Sequence, residues 1–215
     1  MVGMDKLTRY PERGGDRRLL DEILDEGMVA VLSTVADGLP WSIPIAYARA
    51  GDRIVVHGST GAGALRHVAA GAPVTLTVTH VDALVVADTA FDHSMNYRSA
   101  VLRGTLDRVS AGAEELLDAF LDALLPGRSA EVRVNSRKEL AATAVLALPI
   151  TADNWVVKSR SGGAASTEGG WSGVLPLRTG YARIEPTPGL DLPVPDSVRA
   201  ALRASAPEEH SVASS

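Results

Sequence analysis

Apolar side chains recur along this chain with two different periods, and the switches between them mark out the elements. Leu19, Leu20, Ile23 and Leu24 recur at helical spacing behind Asp16, a good capping residue, and Gly27 stops the run. The spacing predicts a helix over 16–26. From Met28 to Val35 the chain is too continuously apolar and β-branched for a surface helix, which predicts a buried strand. Ala36-Asp37-Gly38 forms a tight turn into a strand over 41–47. Gly51-Asp52 turns the chain again into Ile54-Val55-Val56, so three strands are expected in meander order. Pro44 cannot donate to a ladder, so it marks an edge, a bulge or a place where something sits against the backbone.

Beyond residue 70 the strand period becomes cleaner. Val74, Leu76, Val78 and His80 fall on one face and three threonines on the other. Residues 82–88 extend this sheet, and 97–109 hold another strand broken at Gly104. A helix follows with Leu116, Leu117, Phe120, Leu121 and Leu124 on one face, ended by Pro126-Gly127. Ser136-Arg137-Lys138-Glu139 matches a capping box before a strand over 143–150. Strands at 155–157 and 171–177 bracket a Gly/Ala/Ser stretch over 161–170, which reads as a mobile loop. Short strands with interposed helices, and no regular βαβ alternation, predict a mainly β fold: a mostly antiparallel barrel decorated by helices. Residues 1–15 read as a flexible lead-in, 16–178 as the barrel domain, and 179–215 as an extended, poorly ordered tail.

Composition narrows the function classes. The 215 residues are 46% apolar and 22% charged, the balance of an ordinary globular protein. A net charge of −5 with no Lys/Arg block gives no nucleic-acid footprint. The absence of cysteine removes disulfides, thiolate zinc sites and a cysteine nucleophile. Neither a signal peptide nor a membrane-length apolar run is visible, so the expected location is the cytoplasm.

The most chemically suggestive stretch is 54–68. A short strand ends at His57 and breaks into Gly58-Ser59-Thr60-Gly61-Ala62-Gly63, and helix-forming Ala64, Leu65 and Arg66 follow. Amides at a helix start favour an anion, small residues allow close approach, and the Ser59 and Thr60 hydroxyls and Arg66 add donors. This is neither a Walker A loop nor a Rossmann fingerprint, and an ordinary strand-to-helix turn has the same composition. Phe91-Asp92-His93-Ser94-Met95-Asn96-Tyr97-Arg98-Ser99 is a second donor-rich stretch, equally readable as turn chemistry. His57, His67, His80 and His93 match no metal-ligand spacing, so no metal site is expected, although one of them as an axial haem ligand stays open. No GxSxG elbow is present. Trp41, Trp155 and Trp171 read as core or interface aromatics, two of them flanking the Gly-rich stretch. Asp118 and Asp122 fall on the solvated side of their helix.

Several motifs, in order, carry a family resemblance. They are Tyr10-Pro-Glu-Arg-Gly, Leu24-Asp-Glu-Gly, Gly38-Leu-Pro-Trp-Ser-Ile-Pro, His57-Gly-Ser-Thr, Ala70-Gly-Ala-Pro-Val-Thr-Leu-Thr-Val-Thr, His93-Ser-Met-Asn-Tyr-Arg-Ser, Leu125-Pro-Gly-Arg and Glu139-Leu-Ala-Ala-Thr-Ala-Val-Leu-Ala-Leu-Pro. Together the chain resembles the pyridoxamine 5′-phosphate oxidase-like flavoproteins, in the branch related to nitroimidazole-resistance proteins. The resemblance implies a Greek-key-like, six-stranded split β-barrel and a homodimer with FMN at the subunit interface. It places the flavin phosphate at His57, Gly58, Ser59, Thr60 and Arg66. The wall of Ser42, Ile43, Pro44 and Ile45 would meet the isoalloxazine ring. Tyr97, Arg98 and Ser99 would contribute from a second strand, and Lys158, Arg160 and Trp171 from the partner subunit. Gly61-Ala62-Gly63-Ala64 stands where many relatives carry one or two cations, which leaves haem or a deazaflavin as other occupants. The implied activity is an FMN-dependent oxidoreductase acting on a small molecule, nitroaromatic or quinone-like; the alternative is a non-catalytic flavin or haem carrier or sensor.

Overall fold

The computed structural model describes residues 10–164, 166, 168–189 and 191–205. The first nine and last ten positions of the lead-in and tail expectations therefore lie outside the described residues. A 3-10 turn, Pro11–Arg13, precedes helix α1, Arg17–Glu26. Asp16 caps α1 by accepting from Leu19 N at 3.1 Å, and the helix buries Leu20, Ile23 and Leu24. Gly27 ends it for a steric reason, since a Cβ there would stand 2.2 Å from the Tyr47 hydroxyl oxygen. That hydroxyl donates to Leu24 O at 2.9 Å, satisfying a carbonyl in the last turn.

Strands β1, Val29–Ala36, and β2, Leu39–Ala46, form a hairpin whose turn residues Asp37 and Gly38 both have positive φ, 52° and 77°. An Asp-Gly turn of that hand matches strand twist. The chain then leaves this sheet. Strand β3, Ala48–Arg49, pairs with β4, Arg53–Ser59, in a second sheet. The expected three-strand meander is thus corrected: β2 stays as an outer edge and β4 lies across the barrel, because Tyr47 turns inward and the next residues find their partners there.

Helix α2, Gly63–Ala69, leads to β5, Val74–Val86, and β6, Ser94–Gly104, paired through a bulge between Val81 and Ala83. After β7, Asp107–Arg108, come α3, Ala113–Leu124, α4, Arg137–Ala142, β8, Thr143–Pro149, β9, Trp155–Arg160, and β10, Gly173–Pro176. The first sheet runs β2-β1-β5-β6-β9, with β10 on the far half of β5; the second runs β3-β4-β8-β7. All pairings among the described residues are antiparallel, and the two sheets face one another without closing, the split β-barrel that the resemblance implies.

The main core, including Leu32, Ile54, Val56, Leu76, Leu102, Leu146 and Leu148, fills the space between the sheets. A second cluster of Ala48, Val55, Phe120 and Val145 joins α3 to the outer side of the second sheet. β1 is not buried on both faces as expected. Ala30 and Leu32 point inward, whereas Val29, Val31 and Val35 are 57%, 45% and 53% exposed. The tail is also more structured than expected. It carries α5, Asp196–Ala204, and Glu131 holds that helix by accepting from Ser197 N at 3.0 Å and Ser197 Oγ at 2.5 Å. The Gly/Ala/Ser stretch is tied down as well, with Asp88 accepting from Ser166 Oγ at 3.0 Å and Glu168 N at 2.7 Å.

Replacing Tyr47 with Phe leaves the Leu24 carbonyl without its buried partner. The expected loss is about 1–3 kcal/mol, seen as a lower urea midpoint with an unchanged m-value.

Candidate functional site

The split defines the site. Among the described residues β2 has β1 on one side only, and β3 pairs with β4 only at Val55 and Ile54, so β4 from Val56 to Ser59 has β8 alone as partner. The two strands touch, and Ile43 and Ile45 of β2 pack on the same core as Val56. The peptide edges beside this slot are not consumed by a sheet. Pro44 sits on that edge strand opposite Val31, one of the situations its missing N–H predicts. Ser42 and Pro44 face outward and Ile43 and Ile45 inward, so backbone as well as side chains line the slot.

At the far end of β4 the loop over 59–62 turns into α2. Gly58 is glycine because a Cβ would meet Leu65 Cδ1 at 2.4 Å, so strand and helix pack with no side chain between them. The loop amides are less free than the sequence implies: Thr60 N donates to Ala142 O, Ala62 N to Ser59 O, and Gly61 N to Ser59 Oγ. The donors left over move one step along the chain. α2 has no side-chain cap, and the amides of Gly63, Ala64 and Leu65 have no protein partner among the described residues. Arg66 is exposed and makes no ion pair among them. Gly61 and Gly63 have neither positive φ nor a crowded Cβ position, so nothing inside the chain demands glycine at either place. Their bareness fits close approach from outside.

The remaining expected residues separate. The His57 ring points away from the loop, stacked on Phe120 with centroids 4.4 Å apart and planes 22° from parallel. Its Nδ1 is buried without a hydrogen-bond partner among the described residues, and burial lowers its pKa below the usual imidazole value. Arg98 is engaged structurally, clamping Glu26 at 2.8 Å and Asp82 at 2.9 Å, and these bonds raise its pKa. Arg160 Nη1 donates to Asn96 Oδ1 at 2.7 Å and Met95 O at 3.3 Å. Tyr97 lies opposite both Val81 and Arg160. Ser99 and Lys158 are direct neighbours across β6 and β9, on the sheet's outer face. Trp171 is 72% exposed and lies over Gly173, where a Cβ would stand 2.8 Å from its ring.

Strand order keeps β2 and β9 four strands apart, about 19 Å at ordinary sheet spacing. Within one chain, therefore, the slot and Lys158 are not brought together. The sequence reading missed a polar row of Ser33, Ser42, Thr75 and Arg103, whose alignment only the register reveals. Among the described residues no group of three or more His, Cys, Asp or Glu side chains is placed to hold a metal ion, and no helix is long and apolar enough to cross a membrane.

A family model described as pyridoxamine 5′-phosphate oxidase matches residues 16–154. The chain is 42% identical to the FAD- and haem-binding protein of Mycobacterium smegmatis, covering 88% of this chain and 97% of that one, with a TM-score of 0.86. It is 31% identical to a flavocytochrome of Azotobacter vinelandii, covering 91% and 94%, with a TM-score of 0.82. A 5-nitroimidazole resistance protein from Bacteroides thetaiotaomicron shares the fold at 17% identity, covering 67% and 84%, with a TM-score of 0.57. Among curated proteins none is similar enough to match.

The half-buried His57 imidazole makes stability fall with acid. Its folded pKa is lowered, so the unfolded chain takes up the proton first as pH drops below about 6.5, and stability is lost until the folded state also protonates. His57→Phe retains a ring against Phe120 and removes the titration. The gap in urea midpoint between variant and parent therefore shifts in the variant's favour from pH 7 to pH 5.

Proposed function

The chain belongs to the pyridoxamine 5′-phosphate oxidase family, and from that premise and the open slot we propose that it binds a flavin between β2 and the 59–66 loop. The observation that carries this reading is the pair of unpaired strand edges leading to uncapped amides and two glycines that packing does not require. Backbone of Ser42–Ile45 suits the polar edge of an isoalloxazine ring, and the amides of Gly63, Ala64 and Leu65 with Arg66 suit the first phosphate. His57 orients by packing rather than contact, holding the end of β4 against α3. When bound, the flavin supplies hydride or electron transfer at its N5. The chain's part is to bind the ring, orient it and limit water.

FMN is the occupant implied by the motifs. FAD shares the ring, ribityl chain and first phosphate, and the Mycobacterium smegmatis relative is described as binding FAD. The oxidoreductase reading follows from the ring, with a nitroaromatic or quinone-like acceptor as substrate class.

A second copy belongs to this proposal. The outer face of β1, β2, β5 and β6 exposes Val29, Val31 and Pro44 beside Thr77 and Val101, an apolar stripe suited to a self-complementary contact. Across such a contact Ser99 and Lys158 of the partner would approach the slot that β9 of the same chain does not reach.

Haem is a second reading, favoured by the two relatives described as haem-binding and as a flavocytochrome. His93 fits an axial ligand best: its Nδ1 donates to Thr89 O at 2.8 Å, which fixes the ring and leaves Nε2 free in an exposed position.

The absorbance spectrum of the purified protein, with and without added FMN or FAD, tests the proposal. A two-banded flavin spectrum is expected, and the mass of the released cofactor separates FMN from FAD. A protein that stays colourless and takes up neither flavin overturns it. A sharp Soret band that His93→Ala removes supports the haem reading. Arg66→Ala weakens flavin affinity by about tenfold in a fluorescence titration. Reduction by NAD(P)H followed by turnover of an acceptor distinguishes enzyme from carrier, and light scattering reads the dimer.

A further inference from the structure

Four residues on neighbouring strands stand in one register across the outer face of the first sheet: Ser42 on β2, Ser33 on β1, Thr75 on β5 and Arg103 on β6. Directly opposed residues share a face with Cβ atoms about 5 Å apart, so these side chains form a continuous polar row. Ser33 Oγ and Ser42 Oγ lie 2.8 Å apart, which confirms the shared face at one end. At the other end, Arg103, Thr75 and Ser33 line a cavity of about 650 Å³, together with Val35, Pro73 and Thr105.

The chemistry of this cavity is one-sided. Its lining contains no acidic side chain. The Arg103 guanidinium makes no ion pair or hydrogen bond among the described residues, and the Thr75 and Thr105 hydroxyls have no partner there either. The serine pair uses one hydrogen internally and keeps the other to donate. Val35 and Pro73 supply apolar walls. Other cavities differ: one holds Arg98 already saturated by Glu26 and Asp82, and two around Arg108 include Asp52 and Asp107 or Glu114 and Glu115. A guanidinium and hydroxyls with no carboxylate among them, beside apolar walls, suit an anion carried on an apolar body.

We infer that this row is a binding site for a small ligand with an apolar or planar body and a terminal carboxylate or phosphoryl group. Arg103 takes the oxyanion through its two-pronged guanidinium, Thr75 and Thr105 add hydroxyl donors, and Val35 and Pro73 hold the body. The site stands on its own geometry and does not depend on flavin binding. Ser33 joins it to Ser42, so a ligand here lies next to the wall assigned to the flavin ring.

Calorimetric titration of the full-length protein with phenyl phosphate, benzoate and phenol tests the site. The two anions are expected to bind, and phenol at least about tenfold more weakly. Arg103→Gln lowers anion affinity by about tenfold or more, whereas Arg103→Lys, which keeps the charge and loses the fork, retains part of it. Arg137→Gln, on the α4 helix of the other sheet, removes the same charge elsewhere and leaves the affinity unchanged. Unchanged binding in Arg103→Gln, phenol binding as tightly as phenyl phosphate, or no binding by either anion overturns the inference. Flavin content measured in the same variants identifies the source. Unchanged flavin content is expected and assigns the row to a separate ligand, whereas a joint loss of flavin and anion binding overturns the inference by making Arg103 part of the flavin site.

Discussion

A strand edge carries a row of peptide donors and acceptors that something must satisfy. In this chain two such edges lie side by side, because β2 remains at the margin of one sheet while the end of β4, beyond Val55, lies at the margin of the other. The crossing at Tyr47 creates that arrangement. Its ring is buried, its hydroxyl closes the end of α1, and the residues after it pair in the opposite sheet. Everything proposed about cofactor binding follows from the barrel's failure to close there. A closed barrel would have used the same peptide groups internally and left no slot.

Two packing contacts keep the slot in shape. Gly58 lets α2 lie directly on β4 through Leu65, so the uncapped helix start stands at the end of the strand. On the reverse side, His57 and Phe120 bind β4 to α3. Adjacent residues of one strand thus serve opposite faces, one fixing the helix that presents donors and the other fixing the strand that carries it. His67 adds a third tie, its Nε2 donating to Val35 O at 2.9 Å and so linking α2 to the β1–β2 hairpin.

Much of this was legible in the chain. The Asp16 cap, the Asp37-Gly38 turn, the Ser136–Glu139 capping box and the threonine face of β5 are local features, and each appears where its chemistry placed it. What the sequence concealed was partnership between distant segments. β1 looks buried because its valines are indistinguishable from core valines until the exposure of Val29, Val31 and Val35 shows that none of the described residues covers one face. Arg98 looked like a free cation because Glu26 and Asp82 stand far from it in sequence. The loop amides looked available because Ala142, which takes the Thr60 N–H, lies some eighty residues away. The tail gave no cue that Glu131 would receive Ser197.

The way Asp88 holds the 166–170 loop has a bearing on how this region tolerates change over generations. One of the groups it grips among the described residues is the main-chain amide of Glu168, which every residue except proline retains. Side-chain identity at that position is therefore nearly neutral to the fastening, while the aspartate is not. A stretch rich in glycine, alanine and serine can drift in composition and still return Trp171 to the same place, because its anchorage is written in the loop that follows β5.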